Sequence, residues 1–83
     1  MNYKLTQHAK DAIIKRKVEL KWIEQAVSFP QHIEQDATDS MLEHRMAVIP
    51  ENESRVLRVI INPHTNPLLV VTLFFDRRMK GKL

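Results

Sequence analysis

Apolar residues recur at helical spacing only in the first third of the chain. Leu5, Ala9, Ala12 and Ile13 fall on one stripe of a helical wheel, which predicts a helix from about Gln7 to Arg16. Thr6 suits the N-cap, where its hydroxyl can accept from an otherwise unpaired amide of the first turn. Asp11 stands four residues before Lys15, an order that favours a helix. Leu20, Trp22, Ile23, Ala26 and Val27 cover one broad face of a second helix predicted over Leu20 to Ser28. Pro30 stops it, because the residue ahead of a proline is pushed out of helical geometry.

Beyond Pro30 the period shortens. His32 to Asp36 reads as a short edge strand, and Glu43 to Ile49 alternates weakly. Pro50 to Ser54 reads as a hairpin loop. Val56 to Ile61 then places Leu57, Val59 and Ile61 on one face and Val56, Arg58 and Ile60 on the other. A turn from Asn62 to Pro67 leads into Leu68 to Phe75, apolar on nearly both faces, as a strand under a helix should be. Such a strand is prone to aggregate, and Pro67 before it and Asp76-Arg77-Arg78 after it guard its ends. The predicted fold is α+β: two N-terminal helices packed on a four-stranded, mainly antiparallel sheet.

Eighty-three residues make one domain, 1–83. The absence of cysteine removes disulfides and thiolate metal sites and fits a reducing cytoplasm, the expected location. The amino terminus lacks the apolar run of a signal peptide, and Leu68 to Phe75 falls far short of the roughly 20 residues that span a bilayer, so a soluble protein is expected. The net charge of +3 is modest; its distribution is more informative. Lys10, Lys15, Arg16, Lys17 and Lys21 cluster early, and Arg77, Arg78, Lys80 and Lys82 cluster late. The two blocks merge into one basic face if the last strand packs beside the first helix. Otherwise they are solvated surface charges.

The run Leu5-Thr6-Gln7-His8-Ala9, followed by Arg16 and by a second helix ending near a proline, resembles the domain-of-unknown-function family 4258. The resemblance continues through Leu57-Arg58-Val59-Ile60-Ile61 and closes on Val71-Thr72-Leu73-Phe74-Phe75-Asp76-Arg77-Arg78. Members look like relatives of RelE-like and BrnT-like toxins, which implies the fold of barnase-type and RelE-type ribonucleases. It also implies a toxin-like, RNA-binding, metal-independent endoribonuclease of a toxin–antitoxin system. The implied partners are RNA, in a ribosomal setting for some such toxins, and a small antitoxin-type protein. The alternative is a non-catalytic RNA- or protein-binding module of the same fold. The chain departs from the family pattern at Lys17, where a glycine is usual, and at Val18-Glu19, where Ser or Asp is expected to cap the second helix.

Metal-independent RNA cleavage needs a base for the 2′-hydroxyl, an acid for the leaving oxygen, and cations for the charge that builds on phosphorus. His8 is the first candidate for the proton steps, near first-turn amides that favour an anion. It is equally readable as a histidine that packs the helix. Arg16 projects from the apolar stripe, so it must escape past the helix end or find a buried partner such as Asp76 or Glu43. Arg58 interrupts an apolar strand face, where phosphate contact and cross-strand pairing are both open. Arg77 and Arg78 are sent to opposite sides, and one of them faces a substrate; Arg77 is placed with His8, Arg16 and Arg58 in the catalytic set. Lys10, Lys15, Arg45 and Arg78 form the expected RNA-binding set. His44 is a weaker candidate on the sheet of Arg58, and His32 and His64 read as loop residues. No histidine has metal-ligand spacing, and neither a metal nor another cofactor is expected.

Overall fold

The helix predicted to follow Thr6 does so. In a computed structural model describing residues 2–83, α1 spans Gln7–Arg16. The Thr6 hydroxyl accepts from the Ala9 amide at 3.0 Å and donates to the Val71 carbonyl at 2.7 Å, so the cap also ties the helix to the sheet. Ala9 and Ala12 are buried, with Leu5 and Ile13 packed beside them. Lys17 closes α1 at φ 54, ψ 47, and its amide donates back to Ile14. This left-handed conformation is what a glycine reaches freely and an L side chain resists. The helix α2 follows over Leu20–Ser28, with Glu19 at the N-cap making no side-chain capping bond. Trp22, Ile23, Ala26 and Val27 are buried as expected, whereas Leu20 is 58% exposed and stands outside the core.

The sheet has five strands: β1 (Tyr3–Leu5), β2 (His32–Gln35), β3 (Glu43–Ile49), β4 (Arg55–Asn62) and β5 (Leu68–Phe75). Their order is β1-β5-β4-β3-β2. The expectation of four strands is corrected to five; the sheet is mainly antiparallel as expected, with one parallel pairing. The β2–β5 meander is antiparallel throughout, but β1 adds beside β5 in parallel, Tyr3 facing Leu68 and Leu5 facing Val70, which makes the sheet mixed. Three residues carry too little alternation to announce a strand. Both helices lie on one face, α1 over β5 and α2 over β3 and β4, and cover Ala47, Ile49, Leu57, Val59, Ile61, Val70 and Leu73.

The opposite face has no helix, yet Met46 and Val56 on it are fully buried and Arg58 nearly so. After β5, Asp76 accepts the Arg78 amide and starts a 3-10 helix, Arg77–Met79, that packs back on β4. A second 3-10 helix, Pro50–Asn52, joins β3 to β4 and ends on Glu53 and Ser54, both at φ 55.

Candidate functional site

Two concave sites flank the end of β5, and Asp76 lines both. The larger, about 750 Å³, is lined by Arg16, Arg55, Phe74, Phe75, Asp76, Arg77 and Lys80. Each lining cation arrives for a local reason. Arg16 stands at the C-terminal end of α1, where a positive charge complements the helix dipole. Arg55 begins β4 opposite Ile49. Arg77 and Lys80 come from the turn that Asp76 starts. Because α1 packs on β5, Arg16 of the early basic block meets Arg77 and Lys80 of the late block here, and the rest of the early block stays outside. Arg55 shares its charge with Glu53 at 3.2 Å. Among the described residues, the side chains of Arg16, Arg77 and Lys80 have no ion pair, so three cations converge uncompensated. Phe75 is held edge-on against Trp22, with ring centroids 6.1 Å apart and planes at 69°.

The smaller site, about 410 Å³, lies on the helix-free face and includes Glu34, His44, Arg58, Asp76, Arg78 and Met79 in its lining. Register brings these groups together: Glu34 faces His44 across β2–β3, and Met46 faces Arg58 across β3–β4. Arg58 is 8% exposed, and each of its three guanidinium nitrogens has a partner. Its Nε and Nη2 reach Asp76 Oδ2 at 2.9 and 2.8 Å, and its Nη1 reaches Glu34 Oε2 at 3.2 Å and His44 Nδ1 at 2.8 Å. A guanidinium only donates, so Nδ1 accepts and His44 is the neutral Nε2–H tautomer. That Nε2–H donates to Asp36 Oδ1 at 2.6 Å. The other Asp36 oxygen takes the amides of Thr38 and Asp39. The His44 bond, then the Asp39 and Thr38 amides, hold the Asp36 carboxyl far below the usual carboxylate range. Burial pushes the Asp76 carboxyl up, but the bonds from Arg58 and Arg78 and the Arg58 charge outweigh it and keep it low.

The sequence candidates thus separate. Arg16 and Arg77 line the basic cleft together. Arg58 is a structural cation on the other side of the sheet, where cross-strand pairing takes up its donors. His8 is exposed in the first turn of α1, eight residues and roughly 12 Å of helix axis from Arg16, and does not line the cleft. Lys10 and Lys15 are exposed on α1 outside it. Arg45 is tied down, donating to the Val27 carbonyl at 2.7 Å and to Glu43 at 3.1 Å, which fixes the end of α2 on the sheet. Arg78 pairs with Asp76 at 3.4 Å and turns toward the smaller site, so Arg77 is the arginine that joins Arg16.

Arg55 and Phe74 complete the cleft without having been singled out from sequence, and Lys80 was named there only within the late basic block. Arg55 had a legible signal, a charge ending the apolar alternation of Leu57, Val59 and Ile61. Among the described residues no group of three or more His, Cys, Asp or Glu is placed to hold a metal ion. A comparison with family models matches residues 5–75 to the Domain of unknown function (DUF4258). No curated protein and no solved structure matches the chain.

Proposed function

The chain belongs to the DUF4258 family, and on that footing we propose that it is a toxin-like RNA-binding domain that grips phosphate in the cleft of Arg16, Arg55, Arg77 and Lys80. One observation carries the reading: Arg16, Arg77 and Lys80 converge without acidic partners, drawn from chain segments some sixty residues apart. Cations that only keep a surface soluble disperse or pair; convergence in a concavity with aromatic walls is what a phosphate backbone requires. Asp76 does not spoil the field, since both its oxygens are committed to Arg58 and Arg78. The RelE- and barnase-type ribonuclease fold belongs to the same proposal, supported by two helices ahead of an antiparallel β2–β5 meander. So does a cytoplasmic setting, and so does an antitoxin-type protein partner, for which Ile14 and Phe29, 77% and 75% exposed, offer apolar surface. No helix among the described residues is long and apolar enough to cross a membrane.

Geometry favours binding over cleavage. The cleft holds no histidine, and its one carboxylate is tied up by arginine. The endoribonuclease reading rests on His8, an imidazole with no side-chain partner among the described residues, on the helix that carries Arg16. RNA held at Arg16 would reach it only by running along α1.

Anisotropy titration of labelled RNA tests binding. Affinity should fall with salt along a slope of about −0.7 per phosphate contact, and Arg16→Ala with Arg77→Ala should flatten that slope by about 1.4. A slope unchanged by both substitutions would remove the cleft from the reading. Expressing the wild type and His8→Ala in a bacterial host, with growth and RNA integrity followed together, tests cleavage. Fragmentation lost in the variant establishes the ribonuclease; intact RNA with soluble protein leaves the binding module.

A further inference from the structure

We propose that two copies of this chain join edge to edge through β2, each copy's strand running antiparallel to the other about Ile33, so that the two sheets become one. β2 ends the sheet, and among the described residues only β3 pairs with it. Such an edge is a template for another strand unless something blunts it. The opposite edge, β1, is three residues long and carries the exposed Lys4. β2, His32–Gln35, carries neither lysine nor proline and leaves Ile33 49% exposed. Its free bonding groups fall on the same residue. The Asp36 amide donates to the Leu42 carbonyl at 3.1 Å, so the ladder bonds to β3 fall on Asp36 and, by alternation, on Glu34. The N–H and C=O of Ile33 therefore point away from β3, to where a further strand would lie.

The side chains select the occupant. With Ile33 on a two-fold axis, Ile33 meets the partner's Ile33, His32 meets the partner's Glu34, and Glu34 meets the partner's His32. Apolar faces apolar at the centre, with an imidazole–carboxylate pair on each side. Both polar groups are accessible: their side chains are 45% and 41% exposed, and they stand 3.9 Å apart within one chain. The neighbouring registers fail. Centring on Glu34 opposes two carboxylates, and centring on Gln35 sets Glu34 against Asp36. In the Ile33 register, the end of β2 that follows Phe29 comes alongside the loop that carries Met41 in the other copy. Phe29 and Met41 are 75% and 48% exposed, so apolar surface borders both ends of the seam. Phe29 then serves the second copy, while Ile14 and the basic cleft, at the α1 and β5 end of the sheet, stay open.

Sedimentation equilibrium over micromolar to millimolar protein tests the pairing, with urea midpoints confirming that each variant is folded. Wild type should associate to a dimer and no further, since a two-fold seam closes on itself. Ile33→Lys, which sets two like charges on the axis, should leave only monomer. His32→Glu, which sets carboxylates against Glu34, should weaken association roughly tenfold or more, and His32→Lys should keep or tighten it. Ile14→Lys, at a site 77% exposed on α1, should change nothing. Register is read with a short thiol-to-thiol cross-linker, made specific by the absence of native cysteine: Ile33→Cys should be captured as a dimer, and Ile14→Cys should not. Monomer throughout, a dimer that survives Ile33→Lys, or equal cross-linking at both positions overturns the inference. None of these results touches the RNA reading, which the cleft variants test by themselves.

Discussion

Replacing Asp76 by alanine should unfold much of this protein's stability margin, although Asp76 sits at the end of a strand beside a solvent-facing turn. The side chain is 3% exposed and supplies the oxygen on which Arg58 Nε and Nη2 both rest. Removing one member of a buried ion pair typically costs about 3–5 kcal/mol, because the other is left charged and uncompensated. Arg58 keeps Glu34 at 3.2 Å, but that carboxylate is 41% exposed and only partly offsets the loss, which places the cost near about 3 kcal/mol. A domain of 83 residues has in total about 4–12 kcal/mol. With a urea m-value near about 1 kcal/mol/M, the midpoint should fall by about 3 M. Adding Arg58→Met to Asp76→Ala removes the stranded charge and should recover at least about half of the loss. A single variant whose midpoint moves by under about 0.5 M would show that Arg58 is solvated without its partner. A double variant no better than the single would show that unpaired charge is not the cause.

Lys17→Gly should stabilise by about 0.5–1 kcal/mol, since relief of the left-handed backbone exceeds glycine's added unfolded-state entropy, and should raise the melting temperature by a few degrees; a lower melting temperature would contradict this. Asp36 and Asp76 have carboxyls depressed in the folded state, so near pH 4 the unfolded chain binds more protons than the folded one. Their contribution is therefore complete above the unfolded value near about 3.9 and is lost as pH falls through the folded values. Urea midpoints measured from neutral to acid pH should drop below about pH 5, and Asp36→Asn should flatten that limb. Arg45→Ala should cost about 1.5–3 kcal/mol through its bonds to the Val27 carbonyl and Glu43 while leaving RNA affinity and its salt slope unchanged. A weakened slope at normal stability would put Arg45 on the RNA.

Elements that repeat a pattern over two turns or three residue pairs were readable, which is why α1 and α2 begin and end where Thr6, Arg16, Leu20 and Ser28 place them. β1 was not, because Tyr3-Lys4-Leu5 gains its strand character only from Leu68 to Val70 at the other end of the chain. Lys17 was legible only as a departure from the resembled pattern, which has glycine there, and its φ of 54 shows why glycine would suit the position. At the site, the sequence announced that Arg58 needed an explanation, since a charge interrupts an apolar face. It did not say which, because Asp76, Glu34 and His44 lie on three other segments and meet Arg58 only through strand register and the 3-10 turn. The meeting of Arg16 with Arg77 and Lys80 depended in the same way on α1 docking over β5.

The parallel pairing of β1 with β5 also sets an order of assembly. During synthesis β1 and α1 emerge first, yet α1 has its main packing surface on β5, about sixty residues later. The meander of β2 to β5 can zip through neighbours in sequence, whereas the first seventeen residues must wait, with Ala9 and Ile13 uncovered, until Leu68 to Phe75 has been made. The basic cleft therefore cannot be complete before that docking, because Arg16 reaches Arg77 only when α1 lies on β5.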